Sequence, residues 1–276
     1  MPEAPAPDLI VIPARFGSKR LPGKPLIEIA GRTLLERVVA VGRAAAGMAG
    51  NVELLVATDD ERIEQHARSL GCDVVLTDAD ITTGSGRAYA AASARSRRPA
   101  IVVNLQGDAP FIPAEIVAAV IEALRTSPYS VATPIVRMGW AELGAMRAHK
   151  IRSPFSGTTC VRAHDGRALW FSKAIIPAIR DEDALRDEMP ISPVYRHLGL
   201  YAYRIDALAD FEQTPPTPYE RLEGLEQLRF LETGVSILTI EVDPPRYAMS
   251  GIDTQDDVAL AEALIGELGD PYCTTT

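Results

Sequence analysis

Four cations, Arg15, Lys19, Arg20 and Lys24, share a short stretch with Gly17, Pro22, Gly23 and Pro25. Glycine lets backbone N–H groups approach an anion and the cations neutralise it, so such a loop suits a polyphosphate. The spacing is too long for a P-loop, and Pro25 stands where that motif needs Ser or Thr. The dinucleotide fingerprint G-x-G-x-x-G is absent. Asp108 follows Gln106-Gly107 just past the apolar run Ile101–Val103. Carboxylates at the C-terminal ends of parallel strands face the ligand crevice, and an Asp there is a hard oxygen ligand suited to magnesium held with nucleotide phosphates. By itself Asp108 also reads as a cap or turn residue before Pro110. Asp253 has a similar double reading, because Asp253 or Thr254 can cap a final helix that carries Asp256 and Asp257 in its first turn. His197, in a strand-like run, reads alone as a core or structural residue. No nucleophile–base pair is evident.

The elements that must hold these residues alternate. Leu9–Pro13 reads as a first strand and runs straight into the basic loop. Thr33 with Glu36 makes a capping-box pattern for a helix. Val52–Ala57 is a second strand, followed by a helix capped by Asp59 or Asp60 and ending near Leu70-Gly71. Asp73–Leu76 is a short strand, Ala88–Ala94 helix and Ile101–Leu105 strand. A helix follows from Pro113 through Leu124, then strand Val131–Val136. This alternation predicts an α/β fold with a mostly parallel central sheet and helices on both faces. Between about Arg137 and Tyr203 the pattern changes. Thr158–Val161 and Ala168–Phe171 flank an Asp165-Gly166 hairpin signal, Arg180–Pro193 reads as a surface excursion, and His197–Tyr203 as strand. The region is expected to be an antiparallel insertion in a single 276-residue domain. Helix Tyr219–Leu231 opens at Pro218 and buries Leu222, Leu225 and Leu228. Strand Val235–Glu241 and helix Thr254–Ile265, ended by Gly266, complete the chain.

The 28 basic and 37 acidic residues leave a net charge of −9. A general nucleic-acid binder needs a basic excess, so the basic loop points to a small anionic ligand. Cys72, Cys160 and Cys273 match no zinc or CxxC spacing and read as reduced thiols of a cytoplasmic protein. No apolar run reaches the length of a membrane span. The Pro-rich, acidic start is not a signal peptide and reads as a disordered lead-in.

Ile12-Pro13-Ala14-Arg15 followed by Arg20-Leu21-Pro22-Gly23-Lys24-Pro25 resembles the opening signature of sugar nucleotidyltransferases, in particular the 3-deoxy-manno-octulosonate (Kdo) cytidylyltransferases. The resemblance extends from about Ile10 to Ala261. Gln106-Gly107-Asp108 and Gly251-Ile252-Asp253 resemble the family's two metal-binding aspartate motifs, in the same order. Arg196-His197-Leu198-Gly199-Leu200-Tyr201-Ala202-Tyr203 resembles its sugar-side motif. Thr217-Pro218-Tyr219-Glu220-Arg221-Leu222-Glu223-Gly224-Leu225-Glu226-Gln227-Leu228-Arg229 resembles its helix.

What the resemblance implies is a nucleotide-diphospho-sugar transferase-like, Rossmann-type fold. It also implies an enzyme of lipopolysaccharide biosynthesis that joins CTP and Kdo to give CMP-Kdo and pyrophosphate. Arg15 and Lys24 would hold the phosphates, with Ala14, Arg20, Ser85 and Gln106 also on the nucleotide. Asp108 and Asp253 would hold Mg2+. His197 and Tyr201 would contact the sugar acid, Lys173 would meet its carboxylate, and Glu226 and Gln227 would read its hydroxyls. A homodimer through the insertion is implied too; Trp140, Phe155 and Trp170 lie there, residues of the kind enriched at interfaces. The chain departs from the pattern at Ala109 and Gly86, where the family usually carries Glu, at Ser153–Val161, and at Lys173, where Arg is usual and the bidentate fork is lost. The alternatives are a related 3-deoxy-2-keto acid, such as 8-amino-Kdo or a nine-carbon acid, and a nucleotide sensor without turnover.

Overall fold

The computed structural model describes residues 6–18, 20–247, 249 and 251–272. Lys19, Ser250, Cys273 and most of the N-terminal lead-in lie outside the described residues.

The first strand, β1 (Asp8–Ala14), is buried on both faces. Ile10 and Ile12 point into one apolar cluster, Leu9 and Val11 into another. A strand covered on both sides must be apolar throughout, which is why it reads as a continuous hydrophobic run. Each such side chain contributes about 1.5–3 kcal/mol of transfer free energy. A separate two-strand ribbon, β2 (Glu28–Ile29) with β3 (Arg32–Thr33), follows the loop after β1. On one side β1 pairs in parallel with β4 (Val52–Thr58), which pairs with β5 (Asp73–Leu76); on the other it pairs in parallel with β6 (Ile101–Asn104). Beyond β6 lie β11 (Tyr201–Arg204) and β7 (Val131–Arg137). Antiparallel β11 separates them, and β12 (Ile237–Glu241) runs parallel to β7.

Helices α1 (Leu34–Ala49), α4 (Ala114–Thr126) and α10 (Gln255–Leu268) supply the cluster on one face. The other face is covered by α3 (Gly84–Ser93), α7 (Ile205–Gln213) and α9 (Gln227–Glu232). Thr33 caps α1 by accepting from Glu36 N at 3.1 Å. Of the two candidate caps for α2 (Glu61–Ser69), Asp60 is the one used. Helix α10 runs past Gly266 to Leu268 and is ended by Gly269, because its apolar contacts continue through Leu264, Ile265 and Leu268.

The region of changed pattern contains the expected hairpin, β8 (Thr159–Arg162) with β9 (Ala168–Ser172), and β10 (Tyr195–His197) alongside β8. It also contains two helices that strand periodicity did not announce, α5 (Trp140–Arg152) and α6 (Glu182–Glu188). Arg147 on α5 grips Glu182 on α6 with two hydrogen bonds, at 2.8 and 2.7 Å. The expected strand His197–Tyr203 is interrupted. Against β7 the register slips by two residues between His197↔Ile135 and Ala202↔Ala132. The slip takes up Leu198-Gly199-Leu200 and lets β10 leave β11's line to join β8, as a bulge redirects a strand.

The expected helix Tyr219–Leu231 is two helices. α8 (Pro218–Glu223) stops at Gly224 in the left-handed conformation (φ 63°), and α9 starts at Gln227. As a result Leu222, expected in the buried stripe, is 75% exposed, while Leu225 and Leu228 are buried. The C-terminal segment straps the loop that follows β6: Tyr272 donates to Pro110 O at 2.8 Å, and Tyr247 stacks on Phe111 at 4.9 Å. Arg37, fully buried in α1, holds both oxygens of Asp270 at 3.1 Å.

Candidate active site

At the C-terminal end of β1 the chain turns through Arg15–Pro25. Gly23 N donates back to Phe16 O at 3.0 Å, and Gly23 itself takes the left-handed conformation (φ 70°) that leads into the Lys24–Leu26 3-10 turn. This turn aims Lys24 across the sheet end. Its Nζ donates to Asp108 Oδ2 at 2.8 Å and to Asp253 Oδ1 at 3.0 Å, 84 and 229 positions away in the chain. Arg20 donates to the other oxygen of Asp253 at 2.8 Å. Burial works against the charge on Lys24, but Asp108 and Asp253 outweigh it, and the ammonium holds its proton more tightly than a free lysine.

The two aspartates are pinned by backbone. Ile252 N donates to Asp108 O at 2.9 Å. Gly107 passes so close to β1 that a Cβ would stand 2.5 Å from Pro13 O, so only glycine fits beneath Asp108. Asp253 is not the cap of α10. Thr254 caps it, accepting from Asp257 N at 3.3 Å while Asp257 reaches back to Thr254 N at 2.8 Å. That reciprocal capping box leaves the Asp253 carboxylate free to turn toward Lys24.

Ala14 ends β1 opposite Thr58. Arg15 is exposed and donates to Thr82 O at 3.2 Å, on the loop before α3, so it sits on the α3 side of the crevice rather than on the aspartates. Thr83 caps α3 through Gly86 N at 3.0 Å. Nearly buried Arg87 ties that helix to Asp59 at 2.8 Å and Ile81 O at 2.9 Å. The Gln106 amide lies against Gly84, its nitrogen 3.2 Å from where a Cβ would stand. Ser85, expected with the nucleotide, donates to Glu226 Oε2 at 2.5 Å, which joins it to a residue of the expected sugar-side set.

On that side, His197 Nε2 lies 2.9 Å from Thr133 Oγ1. The Thr133 hydroxyl spends its one proton on Leu200 O at 2.7 Å. The imidazole must therefore donate from Nε2. Burial, reinforced by Lys173, pushes the ring down to about 3, so it is neutral at physiological pH. Tyr201 packs against it with the rings tilted and their centroids 5.2 Å apart, and burial raises its hydroxyl well above the usual range. That hydroxyl and the amide nitrogen of Gln227 are buried without a partner among the described residues. Buried polar groups are normally paired, and two unpaired ones in one wall mark a place for a polar ligand.

Lys173 Nζ donates to Thr158 Oγ1 at 3.1 Å. Burial lowers its pKa, and Glu223 opposes that. Three supporting residues escaped the reading of the sequence. Glu223, at the end of α8, accepts from Lys173 N at 2.7 Å and Ser172 Oγ at 2.8 Å. Lys150 of α5 donates to the carbonyls of Lys173 at 2.6 Å and Ser156 at 2.5 Å, fixing the Pro154–Gly157 loop. Thr133 sets the His197 tautomer. Lys150 and Thr133 lie outside the motifs and Glu223 lies within one with no role read for it; each is found only through its partners.

A basic loop at the end of β1, with Asp108 from the exit of β6 and Asp253 from the entry to α10 closing on it, lies at the end of an α/β sheet of the kind found in transferases. The profile of the cytidylyltransferase family matches residues 9–237. A 3-deoxy-manno-octulosonate cytidylyltransferase of Maricaulis maris is 40% identical over 95% of this chain and 98% of its own. One from Halorhodospira halophila is 40% identical over 90% and 93%. The solved structure of a CMP:2-keto-3-deoxy-manno-octonic acid synthetase complexed with CTP superposes with a TM-score of 0.81 at 33% identity, covering 95% of this chain and 99% of that one. A Leptospira borgpetersenii cytidylyltransferase, at 16% identity and a TM-score of 0.58, shares the fold. The chain belongs to the 3-deoxy-manno-octulosonate cytidylyltransferase family.

Proposed function

We propose that this chain is the enzyme that transfers the cytidylyl group of CTP to Kdo, releasing pyrophosphate. The observation that carries the proposal is the Lys24 ammonium bridging Asp108 and Asp253 at the end of the parallel strands. One cation already sits between the two carboxylates, so they are close enough to share another. Two hard oxygen donors completed by substrate phosphates are the usual provision for Mg2+. The donor set therefore fits Mg2+, which would supply charge neutralisation on the triphosphate.

The anomeric hydroxyl oxygen of the sugar acid bonds to the α-phosphorus. The bond to the β-phosphate oxygen breaks, pyrophosphate leaves, and the hydroxyl proton is released. The chain's part is positioning and electrostatics. Lys24, Arg20 and Arg15 line the phosphate side, with Ala14 and Gln106 on the nucleotide. Lys173 pairs the sugar carboxylate, neutral His197 offers a fixed lone pair at Nδ1, and Tyr201, Glu226 and Gln227 read hydroxyls. Reduced, buried Cys72 and Cys160 suit a cytoplasmic enzyme. Among the described residues no helix is long and apolar enough to cross a membrane.

A homodimer through the insertion is part of the proposal. Of the aromatic residues there, Phe155 is 74% exposed, and Ile151 nearby is 85% exposed. Trp140 is engaged within the insertion, donating to Met189 O at 2.8 Å beneath Arg186.

The test is pyrophosphate release with Mg2+, one nucleoside triphosphate at a time, and Kdo, its 8-amino analogue or a nine-carbon keto acid. CTP with Kdo is expected to give the fastest release. Comparable turnover with ATP or GTP would overturn the nucleotide assignment. A tenfold higher kcat/KM for an analogue, about 1.4 kcal/mol, would reassign the sugar.

A further inference from the structure

Helix α7 carries three acidic side chains that no motif accounts for, Asp206, Asp210 and Glu212. Glu212 reaches from α7 to the first turn of α3, where Gly86 has no side chain. A Cβ on Gly86 would stand 2.9 Å from Glu212 Oε2 and 2.9 Å from the capping Thr83 Oγ1, so the carboxylate and the cap share the room that glycine leaves. Its other oxygen, Oε1, is buried and without a partner among the described residues. The nearest guanidinium is engaged elsewhere: Arg229 pairs with Glu220 at 2.7 and 2.5 Å and donates to Phe211 O and Thr214 O.

What surrounds Glu212 on the other side is the sugar-side wall. Ser85, the residue before Gly86, is bonded to Glu226. Tyr203, 3% exposed, feels the charge of both Glu226 and Glu212. Gln227, 5% exposed, presents its unpartnered amide nitrogen from the residue after Glu226.

We infer that Glu212 is a positioning residue of the sugar-acid site, a carboxyl group that α7 delivers across Gly86 to hold Glu226 and Ser85 in place. The inference rests on the sugar-acid reading given above. Two carboxyl groups confined together do not both ionise readily. Burial and the neighbouring Glu226 raise the Glu212 pKa, against the opposing pull of Arg229. Glu212 thus keeps its proton more readily than a surface glutamate, while Glu226 accepts from the Ser85 hydroxyl at the first turn of α3.

The experiment compares steady-state kinetics and melting temperature of wild type, Glu212→Ala and Glu212→Gln, which keeps a neutral polar group of the same length. Each is assayed with CTP and the keto sugar acid that wild type uses best. Glu212→Ala is expected to raise KM for the sugar acid tenfold or more, with KM for CTP within twofold of wild type. Glu212→Gln is expected to bring KM for the sugar acid back to within threefold of wild type. Glu212→Asp keeps the carboxyl group but shortens the reach; it is expected to raise the same KM severalfold and serves if the alanine variant fails to fold. An unchanged KM for the sugar acid, or equal rises in both KM values in step with a lost melting temperature and no rescue, would overturn the inference alone. Absence of wild-type turnover with every keto sugar acid would overturn the sugar reading and the inference with it.

Discussion

At the residue scale, Asp253 shows how two readings of one side chain are separated. As a helix cap its loss would cost stability; as a partner of Lys24 its loss should cost turnover. The hydrogen bonds give the cap to Thr254 and leave Asp253 with Lys24 and Arg20. Asp253→Asn and Asp108→Asn are each expected to lower turnover by roughly 100-fold or more with folding nearly intact. Thr254→Ala is expected to lose about 1 kcal/mol of stability while activity is kept. Thermal melts run beside a pyrophosphate assay check both. Asp253→Asn with full activity and a lowered melting temperature would return that residue to a capping role. In sequence the two residues are adjacent and equally good caps; the choice depends on where Lys24 lies, and that is a long-range fact.

At the scale of elements, the site is set by places where regular structure stops. Gly107 lets the β6 exit cross the end of β1 with no side chain between them. Gly107→Ala is expected to push the two strand ends apart, costing about 1–3 kcal/mol and most of the turnover, because Asp108 would leave Lys24. Urea unfolding and the same assay measure the two losses; a stable, active variant would show that the contact is dispensable. The break at Gly224 has a comparable effect on the other side. It ends α8 so that Glu223 meets Lys173, and it starts α9 afresh so that Glu226 meets Ser85. A single helix from Tyr219 to Leu231 would carry the two carboxylates on one rigid repeat. The apolar stripe of Leu222, Leu225 and Leu228 suggested that helix, and Gly224 was the only local sign against it.

At the scale of the whole molecule, the proposed homodimer predicts twice the 29.8 kDa chain mass in light scattering at micromolar concentration. Phe155→Asp is expected to shift that mass toward the monomer, and a wild-type monomer would count against the assembly. The sequence by itself determined the central strands and the residue types at their ends. Strands buried on both faces must be apolar throughout, and a loop suited to polyphosphate carries glycine and cations, so Leu9–Pro13, Arg15–Pro25 and Gln106–Asp108 stood out as strand, basic loop and strand-end carboxylate. The family signature added His197, Tyr201 and Lys173 as candidates. Only the tertiary structure decided that Ser85 belongs with Glu226, that Thr133 fixes the His197 tautomer, that Lys150 and Glu223 brace Lys173, and that Glu212 fills the space above Gly86. Those pairings join segments distant in sequence. The identity of a side chain encodes what it can bond, and the packed sheet and its covering helices select which of those bonds it makes.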